Sequence, residues 1–147
     1  MSKPKYSTRS YKRLSSCHPR LRALFTTVLE GYDHTILCGN RGEKDQMKAY
    51  NEGNSKLKYP KSKHNANPAM AVDVAPYPID WNNIKRFYHF GGYVQGVAKT
   101  MGIKIRWGGD WSCKRTFKQK FNDLPHFELI DDEAMISHFN MITKRKK

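Results

Sequence analysis

Residues 62–76 read S-K-H-N-A-N-P-A-M-A-V-D-V-A-P, a polar approach followed by a short apolar run with a carboxylate at its centre. The A-V-D-V-A segment reads as a strand, closed by Pro76 and Pro78. Asp73 conflicts with that setting. A buried, unpaired carboxylate costs several kcal/mol, comparable with the stability of a small domain, so it needs a cation, dense hydrogen bonding or a raised pKa.

Working outward from this strand, the chain mixes helical and extended patterns. Residues 1–16 are polar and basic without periodicity and are expected to form a loosely ordered lead-in. Leu21, Leu24, Phe25, Val28 and Leu29 recur at helical spacing before Gly31. T-I-L-C-G follows as a short strand, G-N-R-G at 39–42 as a turn, and E-K-D-Q-M-K-A-Y as a short helix. The segment 51–69 is a long polar loop, of the kind that is usually functional or mobile.

Beyond the strand, Ile84, Phe87, Tyr88, Gly91, Val94, Ala98 and Met101 trace a helical face. Gly91, Gly92 and Gly96 in that helix predict close backbone packing against a sheet, since each costs about 1 kcal/mol relative to Ala. I-K-I-R-W alternates as a half-buried strand, G-G-D-W turns, 112–122 is a basic loop, and L-P-H-F-E-L-I is a last strand. The 131–147 tail, with acids first and K-R-K-K last, is expected to be a basic helix or tail. Without strict βαβ alternation the pattern predicts an α+β fold with a small, mainly antiparallel sheet.

A length of 147 residues suits one hydrophobic core, so 1–147 reads as a single domain with its body at about 20–130. The formal charge of +14 favours an anionic partner without choosing among nucleic acid, anionic lipid and cell-wall polymer. Cys17, Cys38 and Cys113 are widely spaced and argue against a disulfide framework or a cysteine-rich zinc site. No stretch approaches the roughly 18 apolar residues of a membrane span, and no export signal is visible.

Of the six histidines, His18, His34, His89 and His138 have no obvious ligand partner and read as hydrogen-bonded or partly exposed side chains. His64 and His126 differ, because each adjoins a strand and, with Asp73, completes a two-imidazole, one-carboxylate set. Such a set commonly holds catalytic zinc (Zn2+) and keeps a fourth position open. Zinc brings the pKa of bound water to about 7 and polarises a carbonyl, which leaves a general base to be found. Asp123 and Glu128 are both candidates on spacing, the second because residues 126 and 128 share a strand face.

Taken together, S-K-H at 62–64, A-V-D-V-A-P-Y at 71–77, I-D-W at 79–81, W-G-G-D-W at 107–111 and D-L-P-H-F-E-L at 123–129 resemble phage endolysins. The family is that of the L-alanyl-D-glutamate endopeptidases, related to D-Ala-D-Ala carboxypeptidases and dipeptidases. The resemblance runs in order from about residue 20 to 130. It implies the DD-peptidase or hedgehog-like zinc peptidase fold, metal ligands at His64, Asp73 and His126, and the catalytic base at Asp123. It also implies that Arg41, in C-G-N-R, binds substrate and stabilises the developing oxyanion. One departure stands out: eight residues separate His64 from Asp73, where many family members have fewer.

The resemblance further implies a peptidoglycan stem peptide as substrate, cleaved between L-Ala and D-Glu, with D-Ala-D-Ala cleavage as the enzymatic alternative. Synthesis in the host cytoplasm and action in the periplasm or cell wall, after the membrane is permeabilised, follow from it. A monomer is expected, and the basic tail could engage anionic envelope polymers. A basic nucleic-acid-binding protein is the rival from another class. Against it, the charges are spread along the whole chain and no nucleic-acid-binding motif appears. Trp107, Asp110 and Trp111 read as packing and site-wall residues.

Overall fold

The computed structural model describes residues 3–130, and the 131–147 tail lies outside them. The elements are helices α1 (Thr8–Ser15), α2 (Pro19–Gly31), α3 (Glu43–Asn51) and α4 (Ile84–Met101), with strands β1 (His34–Cys38), β2 (Ala71–Pro76), β3 (Ile105–Trp107) and β4 (His126–Leu129). All strand pairs are antiparallel, in the order β1-β2-β4-β3, which is the expected α+β architecture.

Period-2 alternation sorts the sheet into two chemically distinct faces. Val72, Val74, Phe127, Leu129, Ile105 and Trp107 are buried in the core. There the Phe127 ring meets Phe25, Phe90 and Trp107 at centroid distances of 5.4, 6.1 and 6.4 Å. α2 contributes Leu21, Leu24, Phe25 and Val28, and α4 contributes Phe90, Val94 and Ala98. The intervening residues Asp73, His126, Glu128 and Arg106 share the opposite face through the register pairs Asp73↔His126 and Arg106↔Glu128.

The lead-in expected over residues 1–16 is instead helical from Thr8. Ser7 caps α1 by accepting from the Ser10 N–H at 3.1 Å. Apolar periodicity could not reveal this helix, because Leu14 is its only buried apolar side chain. It is fastened by polar bonds. The Ile36 N–H donates to Ser10 Oγ (3.1 Å) and Arg13 Nη1 donates to the Ile36 carbonyl (3.1 Å), satisfying backbone groups of the edge strand β1.

The glycines of α4 divide. A Cβ at Gly91 would overlap the Trp107 indole, so close packing explains that position, whereas Gly92 and Gly96 face open space. Gly92→Ala should therefore raise stability by about 1 kcal/mol. Gly91→Ala should lower it by about 1–3 kcal/mol through overpacking. Urea denaturation of the two variants checks the pair.

His34 supplies a second test. Its Nδ1–H donates to the Tyr32 carbonyl at 2.8 Å, its Nε2 lies 2.5 Å from the Tyr6 hydroxyl, and Phe25 and Phe90 flank the ring. Burial pulls its pKa from 6.5 down to about 4, so the folded chain holds it neutral. The unfolded chain takes up that proton first, so the stabilisation is complete above pH 6.5 and is lost as the pH falls to about 4. The loss is on the order of 3 kcal/mol. Urea titrations across this window should show it in the wild type and not in His34→Gln.

Candidate metal centre

The site grows from the polar face of β2 and its neighbours. Asp73 stands at the centre, opposite Cys38 of β1 and His126 of β4. The β1–β2 register shifts between Ile36 and Cys38, a bulge of the kind that re-aims groups beside functional sites. Just beyond it, the Gly39 carbonyl accepts a hydrogen bond from His64 Nδ1 at 2.8 Å. His64 itself sits in the 3-10 turn Lys63–Asn65, closed by a capping box between Ser62 and Asn65.

The eight-residue gap from His64 to Asp73 is absorbed before β2 begins. Ala69 is anchored to the α1–α2 junction, its N–H donating to the Ser16 carbonyl (2.9 Å) and its carbonyl accepting from His18 (2.8 Å). The Met70 N–H then donates to the Lys63 carbonyl at 2.9 Å, folding the segment back on the turn that carries His64.

Two imidazoles approach the same carboxylate oxygen. His64 Nε2 lies 3.2 Å and His126 Nδ1 3.3 Å from Asp73 Oδ1, with the two rings 5.1 Å apart. Each ring is oriented from its far side. The His64 Nδ1–H is spent on the Gly39 carbonyl, and the His126 Nε2–H on Glu128 Oε1 at 2.8 Å. With those far-side protons fixed, each inward nitrogen faces the carboxylate either through a lone pair, which is repulsive unless a cation lies between, or through a second ring proton. Ligands about 2 Å from a tetrahedral zinc ion stand about 3.3 Å from one another, and both nitrogen–oxygen separations match that edge.

The electrostatics express the same demand. Burial alone would lower the His64 pKa, but the Asp73 carboxylate overrides it and lifts it to about 10. Burial likewise opposes the rise at His126, and hydrogen bonds to Asp73 and Glu128 prevail. The two rings hold Asp73 far below the usual carboxylate range against its own burial. Protons or a divalent metal ion can supply the missing charge, and the donor types suit a borderline metal. Donor atoms gather in two overlapping groups, Cys38–His64–Asp73 and Asp73–Asp123–His126, each within 4.8 Å.

Asp123 Oδ2 is 4.0 Å from His126 Nδ1, and its side chain is about one-third exposed, at 32%. The approach depends on Gly108, where a Cβ would overlap the Asp123 carbonyl oxygen. The Asp123 N–H donates to the Gly108 carbonyl (3.0 Å), and Trp107 Nε1 donates to the Leu124 carbonyl (2.7 Å), pinning the D-L-P turn to β3. Burial, then repulsion from Asp73, raises the Asp123 pKa. Glu128 is placed differently. It accepts from His126, from Arg106 (2.9 Å) and pairs with Lys63 (3.5 Å), and these cations outweigh burial and hold its pKa at about 2.

Arg41 reaches the site from the turn after β1. Nη2 donates to Asp73 Oδ2 (3.3 Å) and Nη1 to Gln46 Oε1 (3.1 Å). Gln46 is fully buried and also donates to Ser55 Oγ (3.0 Å) and the Leu57 carbonyl (2.7 Å), tying the 51–62 loop to the arginine. Arg41, His64, Asp73, Asp123 and His126 all line one cleft of about 770 Å³, whose walls include Trp111 and Phe121. Sequence reasoning missed Cys38, Gln46 and the bracing role of Glu128. Only the last had a legible signal, its shared strand face with His126.

The structure packs Trp107 into the core, sets Trp111 against His126 (5.2 Å), and turns the Asp110 carboxylate to the Arg115 N–H. These are the wall and packing roles expected of them.

Residues 1–130 match the family of phage L-alanyl-D-glutamate peptidases. The chain is also 33% identical over 136 residues to the L-alanyl-D-glutamate peptidase of Escherichia phage T5, covering 86% of this chain and 98% of that protein. This chain belongs to the phage L-alanyl-D-glutamate peptidase family. The crystal structure of the Serratia marcescens L-Ala D-Glu endopeptidase ChiX is similar to this peptidase, with a TM-score of 0.69 and 26% identity, covering 87% of this chain and 91% of that one.

For this peptidase, metal affinity should follow the bracing bonds as well as the ligands. Asp73→Asn should abolish tight binding of a divalent ion, and Glu128→Ala should weaken it by about 10–100-fold by releasing the His126 ring. Competition against a chromophoric chelator measures both.

Proposed function

We propose that this peptidase hydrolyses the L-Ala–D-Glu bond of the peptidoglycan stem peptide, with zinc held by His64, Asp73 and His126. The observation that carries the reading is the pair of imidazole nitrogens converging on Asp73 Oδ1, with a second carboxylate, Asp123, beside them. Zinc bound there supplies a Lewis acid for the scissile carbonyl and brings the pKa of water to about 7.

The remaining work falls to the chain's own residues. Asp123 is the carboxylate free to move a proton, because Glu128 is committed to His126, Arg106 and Lys63. The raised pKa of Asp123 suits a group that takes the proton of the attacking water and returns it to the leaving amine of D-Glu. Arg41 is held by Gln46 and Asp73 through one N–H on each terminal nitrogen. Its other donors serve the substrate carbonyl as negative charge develops there.

Lys56, Lys61 and Lys63 line the same cleft and give it the sign needed for a substrate rich in carboxylates. No helix among the described residues is long and apolar enough to cross a membrane. We place synthesis in the host cytoplasm and action on the cell wall, reached after a separate protein permeabilises the membrane.

Digestion of purified peptidoglycan followed by mass spectrometry should reveal new N-terminal D-Glu, lost with a chelator and restored by zinc. Free D-Ala in its place would overturn the bond assignment. Asp123→Asn should keep its zinc and lose about 10²–10⁴-fold in turnover. Retention of turnover in that variant would remove Asp123 as the base.

A further inference from the structure

A second hollow of about 320 Å³, of different character, shares walls with the cleft that holds the proposed site. Trp81, Ile84, Phe87, Tyr88, Leu124 and Pro125 line it, with no lysine or arginine among its walls. Trp81, Asp123 and Pro125 border both spaces, so the lysine-bearing cleft and the aromatic hollow adjoin at the proposed base.

Trp81 is built as a platform. One face of its indole stacks on Phe87, at 5.3 Å and 19°, yet the side chain stays 56% exposed, and the neighbouring Ile84 is 50% exposed. The turn beneath it is fixed by bonds that do not use the indole: the Asn82 N–H donates to Asp80 Oδ1 (3.1 Å), and Arg86 Nη1 donates to the Pro78 carbonyl (2.6 Å). Asn83, at the N-cap of α4, makes no side-chain capping bond, and its amide borders a shallow polar hollow shared with Asp80 and Asn82. An open aromatic face suits a ligand with an apolar side to stack on it and polar groups at its rim, as a sugar ring has.

We infer that this aromatic hollow binds the glycan of peptidoglycan, with an N-acetylated sugar ring stacked on Trp81. The inference rests on the cleavage reaction proposed above. In that substrate the L-Ala amine is joined to the sugar, while the carboxylates lie on the D-Glu side. The cleft, with Lys56 and Lys61, complements the carboxylate end, which leaves the aromatic hollow, whose one charged wall is Asp123, to the uncharged sugar end. Trp81 thereby becomes a specificity residue that sets the direction in which the stem peptide lies across Asp123.

The test measures affinity in the full-length, zinc-loaded Asp123→Asn chain, where cleavage is blocked. The ligands are a disaccharide–tetrapeptide and the same tetrapeptide without sugar. The sugar should strengthen binding, and adding Trp81→Ala should reduce that advantage by about tenfold while Trp81→Phe retains most of it. An unchanged advantage, equal loss for both ligands, or no advantage from the sugar at all would overturn the proposal. The unaltered enzyme's cleavage products read the reaction separately. A chain that releases N-terminal D-Glu with no sugar effect keeps the reaction and loses this subsite, and sugar binding through Trp81 with other products does the reverse.

Discussion

Everything at this site depends on a carboxylate in the middle of the sheet that cannot be left alone. β2 is flanked on both sides, by β1 and by β4, so Asp73 is enclosed by strand neighbours. That position fixes the carboxylate within a strand ladder, and its partial burial at the floor of the cleft makes positive charge beside Oδ1 strongly favourable. The imidazoles meet that demand, but only with protons or a metal ion between. Stability and catalysis thus draw on the same electrostatic feature.

The acids of the cleft are divided by their partners. Asp73 answers to His64, His126 and Arg41, and Glu128 to His126, Arg106 and Lys63, so both are held ionised by nearby cations. Asp123 has burial and the negative charge of Asp73 acting on it, and its pKa moves the other way. Carboxylates pushed apart in this manner mark a division between structural and proton-transferring roles. The proposal that Asp123 is the base therefore draws on its environment as well as on its distance from His126.

Much of this was legible in the sequence, and the reasons are physical. An acid inside A-V-D-V-A breaks a strong local pattern, and the helical stripes of α2 and α4 are long enough to declare themselves. What periodicity could not show was anything held by polar bonds across long separations. α1 is fastened to β1 by Ser10 and Arg13, the Arg41 guanidinium is steered by Gln46, and Cys38, beside a strand bulge, joins His64 and Asp73 in a group of possible metal donors. None of these leaves a mark at the spacing of a helix or a strand. The glycines of α4 show the opposite limit, since three similar residues had one packing reason among them, and only the Trp107 ring reveals which.

The loops around the cleft are as constrained as the sheet, which explains how a pliable sequence can carry a fixed site. Gln46 holds 55–57, the Ser62–Asn65 capping box holds the His64 turn, and Gly108 with Trp107 holds the Asp123 turn. Each uses a buried or half-buried group whose hydrogen bonds would be lost if the loop left, so loop opening carries an unsatisfied-donor cost rather than only an entropic gain. The turn from Pro78 to Asn83 is secured in the same way through Asp80 and Arg86, with its indole left outward.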